Sequence, residues 1–219
     1  MKSHEGQQDL PGLTGLRGIA ALVVFLAHNR YQDLLPGVSK GALWLEWHDL
    51  AVDLFFMLSG LVMAHVYAGK LKFSSAESWR SYAVARIARI LPLYLVTTLA
   101  ALAIYCLGSL WLGKWPAYLS AQVIVTNVLL LQNWPGLFCL SVNLPAWSLS
   151  VEMFCYALGI IPALLLHRYV RPRPVLAWGA IVILVACRLA LSSDTTGWGS
   201  LGRGLIGFSI GAVIPPPWL

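Results

Sequence analysis

An all-α bundle of membrane-spanning helices is the fold this chain predicts, and three features of its 219 residues predict it. Hydrophobic residues make up 58% and charged residues only 11%, less than half the charged share of a soluble globular domain. Apolar runs recur along the whole chain, and in hydrocarbon a run of about 20 such residues satisfies its backbone polar groups only as a helix. The cations cluster between those runs. The formal charge of +6 therefore reads as membrane topology and phosphate contact, and a nucleic-acid surface is excluded.

Residues 1–10 are polar, and Pro11 with Gly12 opens a first span over 13–29. Arg17 interrupts its apolar run and similar segments follow it, which argues for a retained helix over a cleaved signal peptide. A polar loop leads past Trp44 and Trp47, residue types that favour the headgroup level, to a second span over 50–67. The next connection is the most basic in the chain, with Lys70, Lys72, Arg80, Arg86 and Arg89 against Glu77. Within it Ser74-Ser75-Ala76-Glu77 predicts the cap of a short interfacial helix. A third span is expected over 90–107. The apolar run 118–131 is short for a crossing and reads as re-entrant or interfacial. A fifth segment covers 147–167 and a sixth 175–191. The last, 205–214, stops in Pro215-Pro216-Pro217, short of a full crossing, and its Gly207 and Gly211 predict a close helix contact.

Without an internal repeat, low-complexity tract or linker, residues 1–219 read as one membrane domain of about six to seven segments. Cys106, Cys139, Cys155 and Cys187 form no CxxC pair, so they read as buried spectators, with neither a zinc site nor a disulfide framework expected.

Short loops rich in Lys and Arg stay in the cytoplasm. The 69–89 connection is therefore expected inside, with the N-terminus inside, the 30–49 loop outside and His28 at the outer end of the first helix. The basic cluster at 168–173 is also expected inside, which requires that 118–131 does not fully cross.

Arg17 and His28 are eleven positions apart, a net rotation of roughly 20° and a rise of about 16 Å on a helix, so both lie on one face. Buried cations are costly in lipid, which makes both functional candidates; snorkelling to the two headgroup layers is the plainer reading. Asp53, beside Phe55 and Phe56, needs a partner or a proton. A structural ion pair and a catalytic carboxylate both satisfy that need. Glu152 also falls in the expected outer half, so His28, Asp53 and Glu152 can converge there. A carboxylate beside an imidazole fixes its tautomer and raises its basicity, as a general base acting on a hydroxyl requires. Arg86 and Arg89 are neighbours on one helical face before Pro92. Paired guanidinium groups suit a phosphate-bearing ligand on the cytoplasmic side, and positive-inside anchoring accounts for such pairs equally well.

Four stretches in this order and spacing resemble the acyltransferase-3 family of membrane acyltransferases: 13–28 (LTGLRGIAALVVFLAH), 51–60 (AVDLFFMLSG), 86–94 (RIARILPLY) and 147–156 (WSLSVEMFCY). The resemblance implies an O-acyltransferase acting on sugars and other hydroxyl acceptors, an activity associated with polysaccharide modification. It also implies an acyl-CoA donor for at least part of the family, and no bound cofactor is expected. It implies an essential His28 near the outer face, an RxxR element in Arg86 and Arg89 on the cytoplasmic face, and further functional positions at Arg17 and Glu152. Thr14 and Ala51 depart from the family's usual acid and Gly. Members of the family usually have about ten spans, so the resemblance implies an N-terminal portion with the C-terminal spans missing.

The expected reaction is acyl transfer in which His28, oriented by Glu152 or Asp53, deprotonates an acceptor hydroxyl of a carbohydrate or lipid-linked substrate. Arg86, Arg89 and Arg17 hold the donor's phosphates. No Ser or Cys stands out as a nucleophile, so direct transfer is expected. A membrane transporter or carrier lined by the same Arg, His and Asp is the competing class, and an inactive truncated product is a third reading. The expected location is the bacterial inner membrane with a cytoplasmic N-terminus. Single cysteines at positions 28 and 86 are predicted to label from opposite sides of the bilayer with an impermeant maleimide; labelling from one side removes this topology.

Overall fold

The structure is a computed structural model and describes residues 11–28, 48–117, 119–190 and 197–214. Among the described residues the regular elements are all helices, with no strand. Its helices are α1 (Pro11–His28), α2 (His48–Tyr67), α3 (Ala76–Leu112), α4 (Ala121–Val128), α5 (Trp147–Phe154), α6 (Ile160–Tyr169), α7 (Pro174–Ala190) and α8 (Gly197–Val213). Among the described residues three stretches are long and apolar enough to cross a membrane: Asp49–Tyr67, Ala76–Leu112 and Leu144–Tyr169. Gly15–Leu26 and Pro174–Ala190 are shorter apolar helices. Large apolar side chains point outward along α3, with Leu110 80% and Trp111 87% exposed, a surface that only lipid solvates. The chain is an integral membrane protein.

Two boundaries depart from the sequence expectation. The expected interfacial helix and third span are one continuous helix, α3, capped by Ser75, whose side chain accepts from the Ser78 amide, and closed by Gly113 at φ 64°. Pro92 lies inside it. Its missing N–H leaves one carbonyl unpaired, a loss that membrane helices tolerate and soluble helices seldom do. The last segment also begins earlier, at Gly197 instead of 205, because Arg203 is neutralised within the helix and does not end it. The cysteines differ too: only Cys155 is buried, whereas Cys106 and Cys187 are exposed.

The run at 118–131 yields only the eight-residue α4, about 12 Å long and unable to span about 30 Å of hydrocarbon. Tyr118 lies outside the described residues. The irregular chain after α4 is tied down by buried amides. Asn127 donates to the Leu140 carbonyl at 2.9 Å and accepts from the Val142 amide at 2.8 Å. Gln132 donates to the Ala146 carbonyl at 3.2 Å, and Asn133 to the Trp147 carbonyl at 3.3 Å. Non-helical backbone survives at membrane depth only when protein supplies such partners. Here the partners fix the start of α5.

Helix α2 packs on α8, α1, α6 and α5, most extensively on α8. Its contact with α8 is made backbone to backbone. A Cβ at Gly211 would fall on the Met57 carbonyl oxygen, and one at Gly60 on the Phe208 carbonyl oxygen. The close contact expected of Gly207 and Gly211 is thus with α2, where Gly207 also lies against Phe56.

At the His48 end of α2, Asp49 and Asp53 meet two guanidinium groups. Arg188 of α7 reaches Asp53 Oδ2 at 2.6 Å, and Arg203 of α8 reaches Asp53 Oδ1 at 3.2 Å and Asp49 Oδ1 at 3.1 Å. Arg203 is fully buried and also lies 5.4 Å from the Trp147 ring centroid. Two carboxylates and two guanidinium groups balance.

Helix α3 meets this core through one face, where Tyr82, Ile90 and Tyr94 are buried, and side-chain hydrogen bonds hold it there. Tyr82 donates to the Tyr156 carbonyl at 2.8 Å, Tyr94 donates to the Asn127 carbonyl, and Asn143 donates to Thr97 at 3.0 Å.

Gly211→Leu is predicted to overpack the α2–α8 contact and cost at least about 1–3 kcal/mol. Gly179→Leu, where a Cβ meets nothing within 4 Å, should change stability by less than about 0.5 kcal/mol. Thermal unfolding in detergent micelles checks the contrast, and equal midpoints would contradict it.

Candidate active site

The gap that α3 leaves is a cleft of about 420 Å³. Each bordering helix lines it with residues three or four apart, so each presents one face: Phe56 and Ser59 of α2, Arg89 and Leu93 of α3, Leu149 and Glu152 of α5. Arg17 of α1 completes the wall. Of the residues expected from sequence, Arg17, Arg89 and Glu152 therefore share one cleft.

Glu152 is held by hydroxyls. Ser59 Oγ donates to its Oε1 at 2.5 Å, and Tyr156 OH donates to the same oxygen at 2.5 Å. A π-helical turn over Cys155–Gly159 follows immediately and joins α5 to α6. Such turns release backbone groups from the regular ladder, and the Tyr156 carbonyl here takes the Tyr82 hydroxyl. Tyr156 is thus pinned at both ends, and through it the Glu152 rotamer. Neither Arg17 nor Arg89 has a carboxylate within ion-pair distance among the described residues, although Arg17 sits in the fields of Arg89, Glu152 and Arg86. Two guanidinium groups facing an open cleft beside one carboxylate leave net positive charge there, which favours an anionic ligand.

The other expected residues lie elsewhere. Arg86 points away from the cleft lining, into a cage where it donates to Met63 Sδ at 3.2 Å and Tyr67 OH at 3.3 Å. Its guanidinium also lies 5.6 Å and 5.8 Å from the Tyr67 and Tyr156 ring centroids. Although neighbours in sequence, Arg86 and Arg89 do not present a common fork. Asp53 does not line the cleft; it is engaged by Arg188 and Arg203. Phe56, which lines the cleft, packs edge-on against Trp147 at 6.5 Å, so aromatic rings lie between the Asp53 cluster and Glu152. The expected convergence of Asp53 with Glu152 is not seen, because ion pairing satisfies Asp53 more fully than an imidazole could. Helix α1 runs unbroken to His28, so the spacing from Arg17 holds along the backbone. The His28 side chain lies outside the described residues.

Sequence reasoning missed Ser59, Tyr156, Arg188 and Arg203. A charge count offered a route to the last two, since they are the only cations after Arg173 and Asp53 required a partner. Ser59 and Tyr156 carried no such signal, because hydroxyls in apolar helices are common and their acceptor lies on another element or is set by the π turn.

A family model described as an acyltransferase domain matches residues 10–214. Acyltransferase MdmB of Streptomyces mycarofaciens is 37% identical over 193 residues, which cover 81% of this chain and 44% of that protein. Protein 2 in picA locus of Rhizobium radiobacter is 36% identical over 158 residues, covering 64% of this chain and 75% of that protein. O-acetyltransferase OatA of Staphylococcus aureus is 26% identical over 192 residues, covering 83% of this chain and 29% of that protein. The chain thus spans less than half the length of MdmB and of OatA. No solved structure gives a significant match. A family match over residues 10–214, nearly the whole sequence, makes this chain a member of the acyltransferase-3 family of membrane acyltransferases.

Proposed function

We propose that the chain forms the acyl-transfer site of a membrane acyltransferase that moves an acyl group from acyl-CoA to a hydroxyl of a carbohydrate or related acceptor across the membrane. One observation carries this reading: Arg17, Arg89 and Glu152 line a single cleft whose remaining surface is largely apolar. A thioester donor needs both parts. Guanidinium groups attract its phosphates and stabilise the oxyanion formed on attack, and the Phe55, Leu93 and Leu149 surface accommodates the acyl group. The names of two relatives, an acyltransferase and an O-acetyltransferase, support an acyl group as cargo and an oxygen as its destination.

In this reading Arg89 and Arg17 meet the donor, and Arg86, caged by Tyr67 and Tyr156, holds α3 against α2 at the depth that brings Arg89 to the cleft. Glu152 orients His28, which accepts the proton of the attacking hydroxyl. Asp53 keeps α2 in register and takes no proton. The bundle lies in the bacterial inner membrane, with the Arg86 end of α3 cytoplasmic, in keeping with Lys70, Lys72 and Arg80 beside it.

Membranes containing the natural gene product, supplied with radiolabelled acetyl-CoA, test the proposal. Arg89→Ala is expected to raise the donor KM and lower kcat/KM by about 100-fold, in line with loss of one charged donor at a reacting centre. Arg86→Ala should instead lower the amount of folded protein. His28→Ala should abolish acceptor labelling. Undiminished labelling in the His28 variant removes the proposed base, and uptake of an unmodified solute without any acyl transfer would favour a carrier.

A further inference from the structure

We propose that Ser59 carries the acyl group in transit, as an ester on its Oγ, with Glu152 as the base that activates it; this rests on the acyl-transfer reading above. The sequence offered no evident nucleophile, and the cleft supplies one.

Among the described helices Ser59 is set apart from the other Ser and Thr hydroxyls by its acceptor, a carboxylate; Ser150 and Ser200 also reach distant partners, but these are the Leu130 carbonyl at 2.9 Å and the Asn133 side-chain oxygen at 3.2 Å. Thr97 donates to the Leu93 carbonyl at 3.1 Å, Ser109 to the Tyr105 carbonyl at 2.7 Å and Thr126 to the Gln122 carbonyl at 2.8 Å, each four residues back. That local bond is the default for a hydroxyl in an apolar helix. A hydroxyl has one proton to donate, and Ser59 gives it to Glu152, 93 positions away, at 2.5 Å. Serine and base within hydrogen-bond reach, with the base oriented by a third group, is the arrangement of an activated nucleophile. The orienting group is Tyr156, whose hydroxyl binds the same Glu152 oxygen and whose carbonyl is fixed by Tyr82. Arg17 and Arg89 line the same cleft and offer positive charge to an oxyanion formed beside Ser59.

Depth supplies the second line of argument. Ser59 is the twelfth of the twenty residues of α2, about 16 Å from its His48 end and about 12 Å from its Tyr67 end. A donor whose charged nucleotide stays on one side and an acceptor on the other both need to reach the acyl carbon. A carrier near mid-depth lets the acyl group cross while the nucleotide does not.

The chemistry balances in two steps. Ser59 Oγ attacks the thioester carbonyl; the Oγ–C bond forms, the C–S bond breaks, and the serine proton passes through Glu152 to the leaving thiolate. The acceptor oxygen then attacks the seryl ester; its O–C bond forms, the Oγ–C bond breaks, and the acceptor proton, taken by His28, passes through Glu152 to Ser59 Oγ. No oxidant or further reactant is needed.

Inverted vesicles carrying the natural gene product are pulsed with radiolabelled acetyl-CoA, denatured in SDS, and the protein band and the glycan and lipid fraction are counted. The expected result is a labelled band that alkaline hydroxylamine strips and that chases into the glycan and lipid fraction when unlabelled acetyl-CoA is added. Ser59→Ala should reduce both signals to background at unchanged protein level. Should that variant be lost from the membrane, Ser59→Cys decides, since its label becomes a thioester cleaved by hydroxylamine at neutral pH. Acceptor labelling that persists in Ser59→Ala, a labelled Ser59→Ala band, or a Ser59→Cys label stable to neutral hydroxylamine overturns the proposal and leaves acyl transfer itself standing. Acetyl-CoA left unconsumed by the wild type, with neither fraction labelled, removes both.

Discussion

A carboxylate inside a lipid-solvated bundle has to be neutralised, and the way Asp53 is neutralised governs the rest of this structure. Arg188 and Arg203 reach it from α7 and α8, and Arg203 extends to Asp49 one turn earlier. Burying such charges is costly, and leaving one of them unpaired costs about 3–5 kcal/mol. The two helices are therefore not free to rotate or slide relative to α2. That restriction puts Gly207 and Gly211 opposite the backbone of α2, where only hydrogen fits. It also stacks Arg203 near Trp147, the first residue of α5, and so reaches the helix that carries Glu152.

Charges in this chain then divide by whether they are balanced. Among the described residues Asp49, Asp53, Arg188 and Arg203 sum to zero and pair with one another. Arg86 is held by rings and soft or hydroxyl acceptors. Arg17 and Arg89 face a cleft with Glu152, whose bonded oxygen is taken up by two hydroxyls. Among the described residues neither Arg17 nor Arg89 has a carboxylate within ion-pair distance, and a cation at membrane depth is a functional candidate for that reason. This separation of architecture from chemistry could not be made from residue type, since both groups consist of arginines and carboxylates in apolar helices.

Much of the architecture was legible in advance because hydrocarbon leaves the backbone few options. The first, second, fifth and sixth segments form helices close to their expected limits, and the glycine pair predicts the α8 contact. What failed did so for identifiable reasons. Arg89 and Arg203 look like the edges of apolar spans, yet α3 runs on through the first and α8 through the second, which is paired. Arg17, Arg89 and Glu152 were legible as candidates because charge stands out against an apolar background. Ser59 was not, because its acceptor is 93 positions distant and nothing local reports that. The π turn that brings Tyr156 to Glu152 has no periodicity signal either.

A double-mutant cycle on Asp53 and Arg188 addresses the founding interaction itself. Unfolding free energies of Asp53→Asn, Arg188→Met and the double variant would be measured in detergent at fixed ionic strength. Each single change leaves a buried charge unbalanced, whereas the double change restores neutrality. The double loss should therefore fall short of the sum of the single losses by about 0.5–3 kcal/mol. Single losses that add to within about 0.3–0.5 kcal/mol would mean that the two residues do not constrain one another, and the positioning of α2, α7 and α8 would need another origin.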